Sequence, residues 1–162
     1  DHPATTHMLA SDQFRSVHLG TDRLLPVSAP RPDGSGPLFA LAGGEKDPIP
    51  LLTYTGESGL GRILASSRAK GRSETAMRSV FASQLTSVLV AMARDAQGMA
   101  WAPMSVVADD LERGRLCRAA GEDADIAIEI RLYRPRTRQG PAAERLWDLV
   151  AHQDGEPEPG RH

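Results

Sequence analysis

Apolar and polar positions along this chain change period several times. Phe14 to Leu19 roughly alternates, which predicts a half-buried strand. Gly20-Thr21-Asp22 reads as a turn, and Arg23 to Ser28 as a second extended run, with Pro26 marking an edge or bend. Two loops follow by composition, Ala29 to Pro37 and Ala42 to Pro48. Ile49 to Tyr54 is a short apolar strand. After the turn Gly56 to Gly59, Leu60 to Ala69 fits a helix with Leu60, Ile63 and Leu64 on one face, stopped at Lys70-Gly71. Ser79 to Ala82 is strand-like. Ser83 then caps a predicted helix, Gln84 to Gln97, with Leu85, Val88, Leu89 and Met92 at helical spacing, and Gly98 sits where a left-handed C′ residue is wanted. Met99 to Ala102 is a strand, and Pro103 starts a short helix that Gly114 ends. Leu116 to Ala119 and Ile126 to Tyr133 are strands. Gly140-Pro141 opens a last helix to about His152, and Asp154 to His162 reads as a disordered tail. The alternation of strands and helices predicts an α/β domain with a mostly parallel sheet and right-handed crossovers.

Composition narrows the classes. The chain has 162 residues, enough for one domain or one and a piece. Hydrophobic residues are 40% and charged residues 25%, an ordinary globular balance. Lys+Arg is 19 against Asp+Glu 21, a net charge of -2, which excludes a dominant basic surface for nucleic acid. The lone Cys117 excludes a disulfide framework and suits a reducing cytosol. The apolar runs are far shorter than the ~20 residues of a membrane helix. The chain opens Asp1-His2-Pro3 without Met or an apolar leader, so an excised or truncated segment is expected.

Particular wording then points to a family. The segments are Asp22-Arg23-Leu24-Leu25-Pro26-Val27-Ser28-Ala29-Pro30, Pro48 to Tyr54, and Ser58-Gly59-Leu60-Gly61-Arg62. The helix Leu85 to Asp95 followed by Gly98-Met99-Ala100-Trp101-Ala102-Pro103 gives the order helix, Gly, hydrophobic strand, Pro. Asp110 to Leu116 and Ala143 to Trp147 continue it. In these segments the chain resembles the effector-binding domain of LysR-type transcriptional regulators, and the first two resemble the hypochlorite-responsive subfamily. The resemblance covers nearly the whole chain to about residue 152. It implies a periplasmic-binding-protein-like fold with the second lobe complete and the first partial. Residues 1–25 would end the first lobe and cross over, 26–128 form the second lobe, and 129–153 return to the first. It also implies a small-molecule effector or oxidant held between lobes, whose binding shifts their orientation. A homo-oligomer is implied for the full-length regulator, with DNA contacted only through a helix-turn-helix absent from this chain, in the cytoplasm and away from membranes.

In open α/β sheets ligands bind beyond the carboxyl ends of strands. Three junctions point there: Thr55-Gly56-Glu57-Ser58, Ala82-Ser83-Gln84 and Trp101-Ala102-Pro103. The first two carry hydroxyls and free N–H groups at helix starts, suited to a small anion. The same Ser58 and Ser83 also suit plain capping. The expected effector residues are thus Thr55, Gly56, Ser58, Ser83, Gln84, Trp101 and Pro103. Because the subfamily senses an oxidant, methionines are candidates; Met77 and Met104 fall nearest loop ends, while Met92 and Met99 suit core filling. The five His residues show no metal spacing, and no cofactor is expected. Asp109, Asp110 and Glu112 read as a solvated helix face, Cys117 as a buried inert thiol, and Arg131, Arg134, Arg136 and Arg138 as a solvated or interface cluster. With no nucleophile–base constellation, an enzyme is the least favoured class. A transport solute-binding protein of the same architecture is the rival to a regulator.

Overall fold

The computed structural model describes residues 13–41, 48–69 and 76–153. The expected tail, the loop over 42–47 and the stop at Lys70-Gly71 lie outside the described residues. The elements in chain order are β1 (Phe14–Ser28), β2 (Ile49–Tyr54), α1 (Gly59–Ala69), β3 (Met77–Ser83), α2 (Thr86–Arg94), β4 (Met99–Pro103), α3 (Met104–Glu112), β5 (Cys117–Arg118), β6 (Ile126–Pro135) and α4 (Pro141–Gln153). A single 3-10 turn, Glu122–Ala124, precedes β6.

The sheet runs β3-β2-β4-β1-β5, with β6 pairing β1 off that path. β2 is parallel to both β3 and β4, whereas β1 is antiparallel to β4 and to β5. The sheet is therefore mixed, with its parallel part confined to the three strands joined by α1 and α2. Central β2 is buried along almost its whole length, as a strand covered on both faces must be. Its Leu51, Leu52 and Tyr54 join Leu24, Leu25, Ile63, Leu64, Leu89, Val90 and Met99 in one core.

Contacts divide the chain into two compact units, Asp22–Ile128 and the pair of segments Asp1–Thr21 with Glu129–His162. In the second of these, Arg136 N–H donates to the Gln13 carbonyl at 3.0 Å. Arg134 on β6 holds α4: it bonds Glu144 at 2.5 Å and lies 4.7 Å from the Trp147 ring centre. The arginine cluster, expected to be solvated or at an interface, is thus part of this unit's packing at Arg134.

Several local expectations are corrected. The two runs either side of Gly20-Thr21-Asp22 form one strand, because Gly20 takes φ +157° and carries the extended chain through where a turn was expected. α2 begins at Thr86 rather than Gln84, and Ser83 is two residues too early to cap it. The helix ends earlier too. Gln97 N–H bonds the Met92 carbonyl and Ala96 N–H the Ala93 carbonyl, a Schellman end with Ala96 at φ +58° in the C′ position. Gly98 serves packing instead: a Cβ there would lie 2.7 Å from the Pro50 carbonyl oxygen. Gly114, at φ +65°, ends α3 as expected. Asp110 is 1% exposed, not solvated, because Arg94 and Arg115 both bond its carboxylate. Cys117 is half-buried, and burial pushes its thiol pKa up, consistent with an unreactive thiol.

Candidate functional site

Because β3, β2 and β4 are parallel neighbours, their carboxyl ends share one edge of the sheet. β2 delivers Thr55 there, β3 delivers Ser83 and Gln84, and β4 delivers Pro103. Register makes the first two adjacent: Tyr54 pairs with Ser83, and Thr55 N–H donates to the Ser83 carbonyl at 3.2 Å.

The turn after β2 is tightly built. Ser58 Oγ–H donates to the Thr55 carbonyl at 3.0 Å, and Gly61 N–H donates to Ser58 Oγ at 2.9 Å, so Ser58 caps α1. Gly61 is required, since a Cβ there would lie 2.1 Å from the Thr55 carbonyl oxygen. Arg62 reaches back to donate to the Glu57 carbonyl at 2.6 Å, while its Nε is buried without a partner among the described residues. Thr55 Oγ1 is likewise buried and unpartnered among the described residues. Gly56 is exposed beside it.

At the second junction Ser83 Oγ accepts from Leu85 N–H at 3.1 Å, a local turn bond. α2 has no side-chain cap, and Gln84 is exposed. The Tyr54 hydroxyl lies 3.1 Å from Thr86 Oγ1 and ties the end of β2 to the start of α2. Burial is the main influence on that phenol and pushes its pKa up.

The third junction is filled by the chain itself. Asp22, on β1, accepts from Ser105 Oγ at 2.6 Å and from Ser105 N–H at 3.4 Å. Since Leu24 pairs with Pro103, β1 brings this carboxylate to the start of α3, where an anion is favoured.

The expected residues therefore separate. Thr55, Gly56, Ser58, Ser83 and Gln84 come together, and Pro103 shares their edge. Trp101 does not: it lies two residues back along β4, 4% exposed, among core side chains that include Leu64 of α1. Met104 opens α3 at this edge, whereas Met77 opens β3 at the opposite one; both are half-buried against the core rather than exposed. Asp22 and Arg62 were not anticipated. Asp22 sat in an apparent turn with its partner 83 residues away, so no local pattern could reveal it. Arg62 carried a faint signal, four residues after the capping Ser58. Among the described residues no His, Cys, Asp and Glu group could hold a metal, and no helix is long and apolar enough to cross a membrane.

Residues 4–154 match the family model described as LysR substrate binding domain. The chain belongs to that family. This LysR domain is 31% identical over 134 residues to two curated relatives. They are the HTH-type transcriptional regulator YjiE of Escherichia coli (strain K12) and the HTH domain-truncated transcriptional regulator QseD of Escherichia coli O157:H7. Each match takes in 83% of this chain, but only 43% of YjiE and 53% of QseD, so the chain spans about half the length of these relatives. Among solved structures, the regulatory domain of HypT from Salmonella typhimurium superposes with TM-score 0.78 at 28% identity, covering 91% of this chain and 68% of that one. The full-length structure of HypT, a hypochlorite-specific LysR-type transcriptional regulator, gives TM-score 0.73 at 29% identity, over 88% of this chain and 47% of that one. The LysR domain is thus HypT-like, and the regulator reading stands above that of a transport solute-binding protein.

Proposed function

We propose that this LysR domain senses a small-molecule effector or oxidant at the strand-end edge of the Asp22–Ile128 unit, and that it is not an enzyme. The observation carrying this reading is the Thr55 hydroxyl, buried with no partner among the described residues, on the residue whose N–H donates to the Ser83 carbonyl. An unpaired buried hydroxyl costs about 1–3 kcal/mol, and a bound acceptor offsets that cost. Gly56 and Gln84 flank it from solvent, and the uncapped start of α2 supplies further N–H groups. Ser58 and Ser83 shape the turns through their own bonds. Met104 at the same edge is the methionine assigned to oxidant contact, and Met77 at the opposite edge is the weaker candidate. Residues 26–128 act as the effector-holding lobe, with 1–25 and 129–153 belonging to the first lobe. In the full-length regulator, a cytoplasmic homo-oligomer, a helix-turn-helix segment of the kind named in YjiE contacts DNA and transmits the effector signal by a population shift. Alone, the chain does not bind duplex DNA selectively.

Thermal-shift titration of the 162-residue chain against small carboxylates, halides and hypochlorite tests the site. At least one of these stabilises the wild type and fails to stabilise Thr55→Val. Equal shifts in both proteins, or no shift with any probe, refute the assignment. Because Val removes the unpaired hydroxyl while keeping its shape, Thr55→Val itself is neutral or up to about 1 kcal/mol more stable without effector.

A further inference from the structure

The stripe of α1 that faces the sheet runs Leu60, Ile63, Leu64 and then Ser67, so a small polar residue falls where the pattern calls for a large apolar one. Ser67 is 6% exposed. The shortfall in volume leaves a cavity of about 30 Å³ bounded by Leu41, Leu64, Ser67, Arg68, Trp101 and Ile126. Trp101 lines it, and the indole Nε1–H, fully buried, has no hydrogen-bond partner among the described residues. Buried Trp N–H groups ordinarily have one.

The polar side chains among its lining residues can all donate. The indole and the guanidinium only donate, the serine hydroxyl can donate, and Arg68 adds positive charge from its exposed position. The remaining wall is aliphatic. A cavity holds one water-sized centre in roughly 10–15 Å³, so this one admits a molecule of a few heavy atoms and nothing larger. Acceptor oxygens, negative charge and a short apolar body together describe one ligand class. We propose that this cavity binds a short-chain carboxylate of acetate or propionate size, its oxygens on Trp101 Nε1–H, Ser67 and Arg68 and its alkyl end against Leu41, Leu64 and Ile126. The site is separate from the strand-end turns and does not depend on their role.

The chain has only two tryptophans, Trp101 and Trp147, so its ¹⁵N-labelled form gives two indole N–H resonances, which Trp147→Phe assigns. Titration with sodium acetate moves the Trp101 resonance saturably, with a Kd in the millimolar range expected of a few heavy atoms, and leaves Trp147 in place. Sodium chloride at equal ionic strength does not reproduce the shift. Arg68→Gln weakens acetate about 2- to 5-fold, the range of an exposed charge contact. Ser67→Leu fills the cavity and abolishes the response, and should it not fold, Ser67→Ala weakens binding about 2- to 10-fold. Parallel movement of both resonances, an equal effect of chloride, no movement at all, or unchanged binding in the Ser67 and Arg68 variants overturns the proposal.

Discussion

The Asp22 carboxylate accepts a 2.6 Å hydrogen bond from the Ser105 hydroxyl and closes the start of α3 from 83 residues earlier in the chain. The same carboxylate accepts from Arg23 N–H at 2.7 Å, which fixes it against its own strand. A strand thereby does the work that a capping side chain usually does from within the helix.

Asp22→Ala leaves the Ser105 N–H and hydroxyl at the start of α3 without that acceptor. It is expected to cost about 0.5–2 kcal/mol, read as a lower denaturant midpoint with unchanged slope. Asp22→Asn keeps an acceptor and loses the charge, so it falls between the two. Equal midpoints for all three proteins dismiss the capping role.

Ala96 carries a left-handed backbone that costs a non-glycine residue about 1–2 kcal/mol. Ala96→Gly should therefore stabilise the chain by about 1 kcal/mol, because glycine adopts the left-handed C′ conformation without that cost. Gly98→Ala should do the reverse, since its Cβ meets the Pro50 carbonyl at 2.7 Å, and overpacking of this kind costs about 1–3 kcal/mol. Thermal melts of the two variants shifting in the same direction contradict this assignment.

Asp110 sets a pH dependence. Burial pushes its carboxyl pKa up, but the hydrogen bonds from Arg94 and Arg115 outweigh that and leave it below the ordinary carboxylate value. The unfolded chain titrates this group near about 3.9. The native pKa is the lower one, so the stability it contributes is present above that pH and is lost as pH falls through the native value. Asp110→Asn should cost about 1–3 kcal/mol at neutral pH. The gap to wild type should hold from pH 7 to 5 and close below about pH 4. A gap independent of pH means the loss comes from packing alone.

In the unit containing α4, Leu146 is 55% and Leu149 69% exposed, while Leu19 and Ile130 are also open to solvent. Such apolar surface is unusual on a monomer. Self-association is expected, and the paired change Leu146→Glu with Leu149→Lys should move light scattering toward the monomer mass without lowering the thermal midpoint. Val17, on the same strand as Leu19, is buried and adds nothing to this surface. A clean wild-type monomer at high concentration disproves the expectation.

The chain's own pattern determined the alternation of strands and helices from Ile49 to Gly114, because apolar spacing of two and of 3.6 residues follows directly from which face of each element meets the core. It determined the Ser58 cap, whose partners lie within three residues, and it carried the LysR resemblance in segments of consecutive residues. Only the tertiary structure decided what depends on distant partners. Asp110 looks solvated until Arg94 and Arg115 are brought to it. Asp22 looks like a turn residue until β1 is laid antiparallel to β4. Trp101 sits in an apolar run that reads equally as edge or core, and strand register placed it in the core. Ser83 and Ala96 show the same limit at helix ends, where one or two residues of shift decide which group caps. Side-chain spacing reports the face of an element, but the register and order of strands are set by long-range packing, and the site at the sheet edge is assembled from that order.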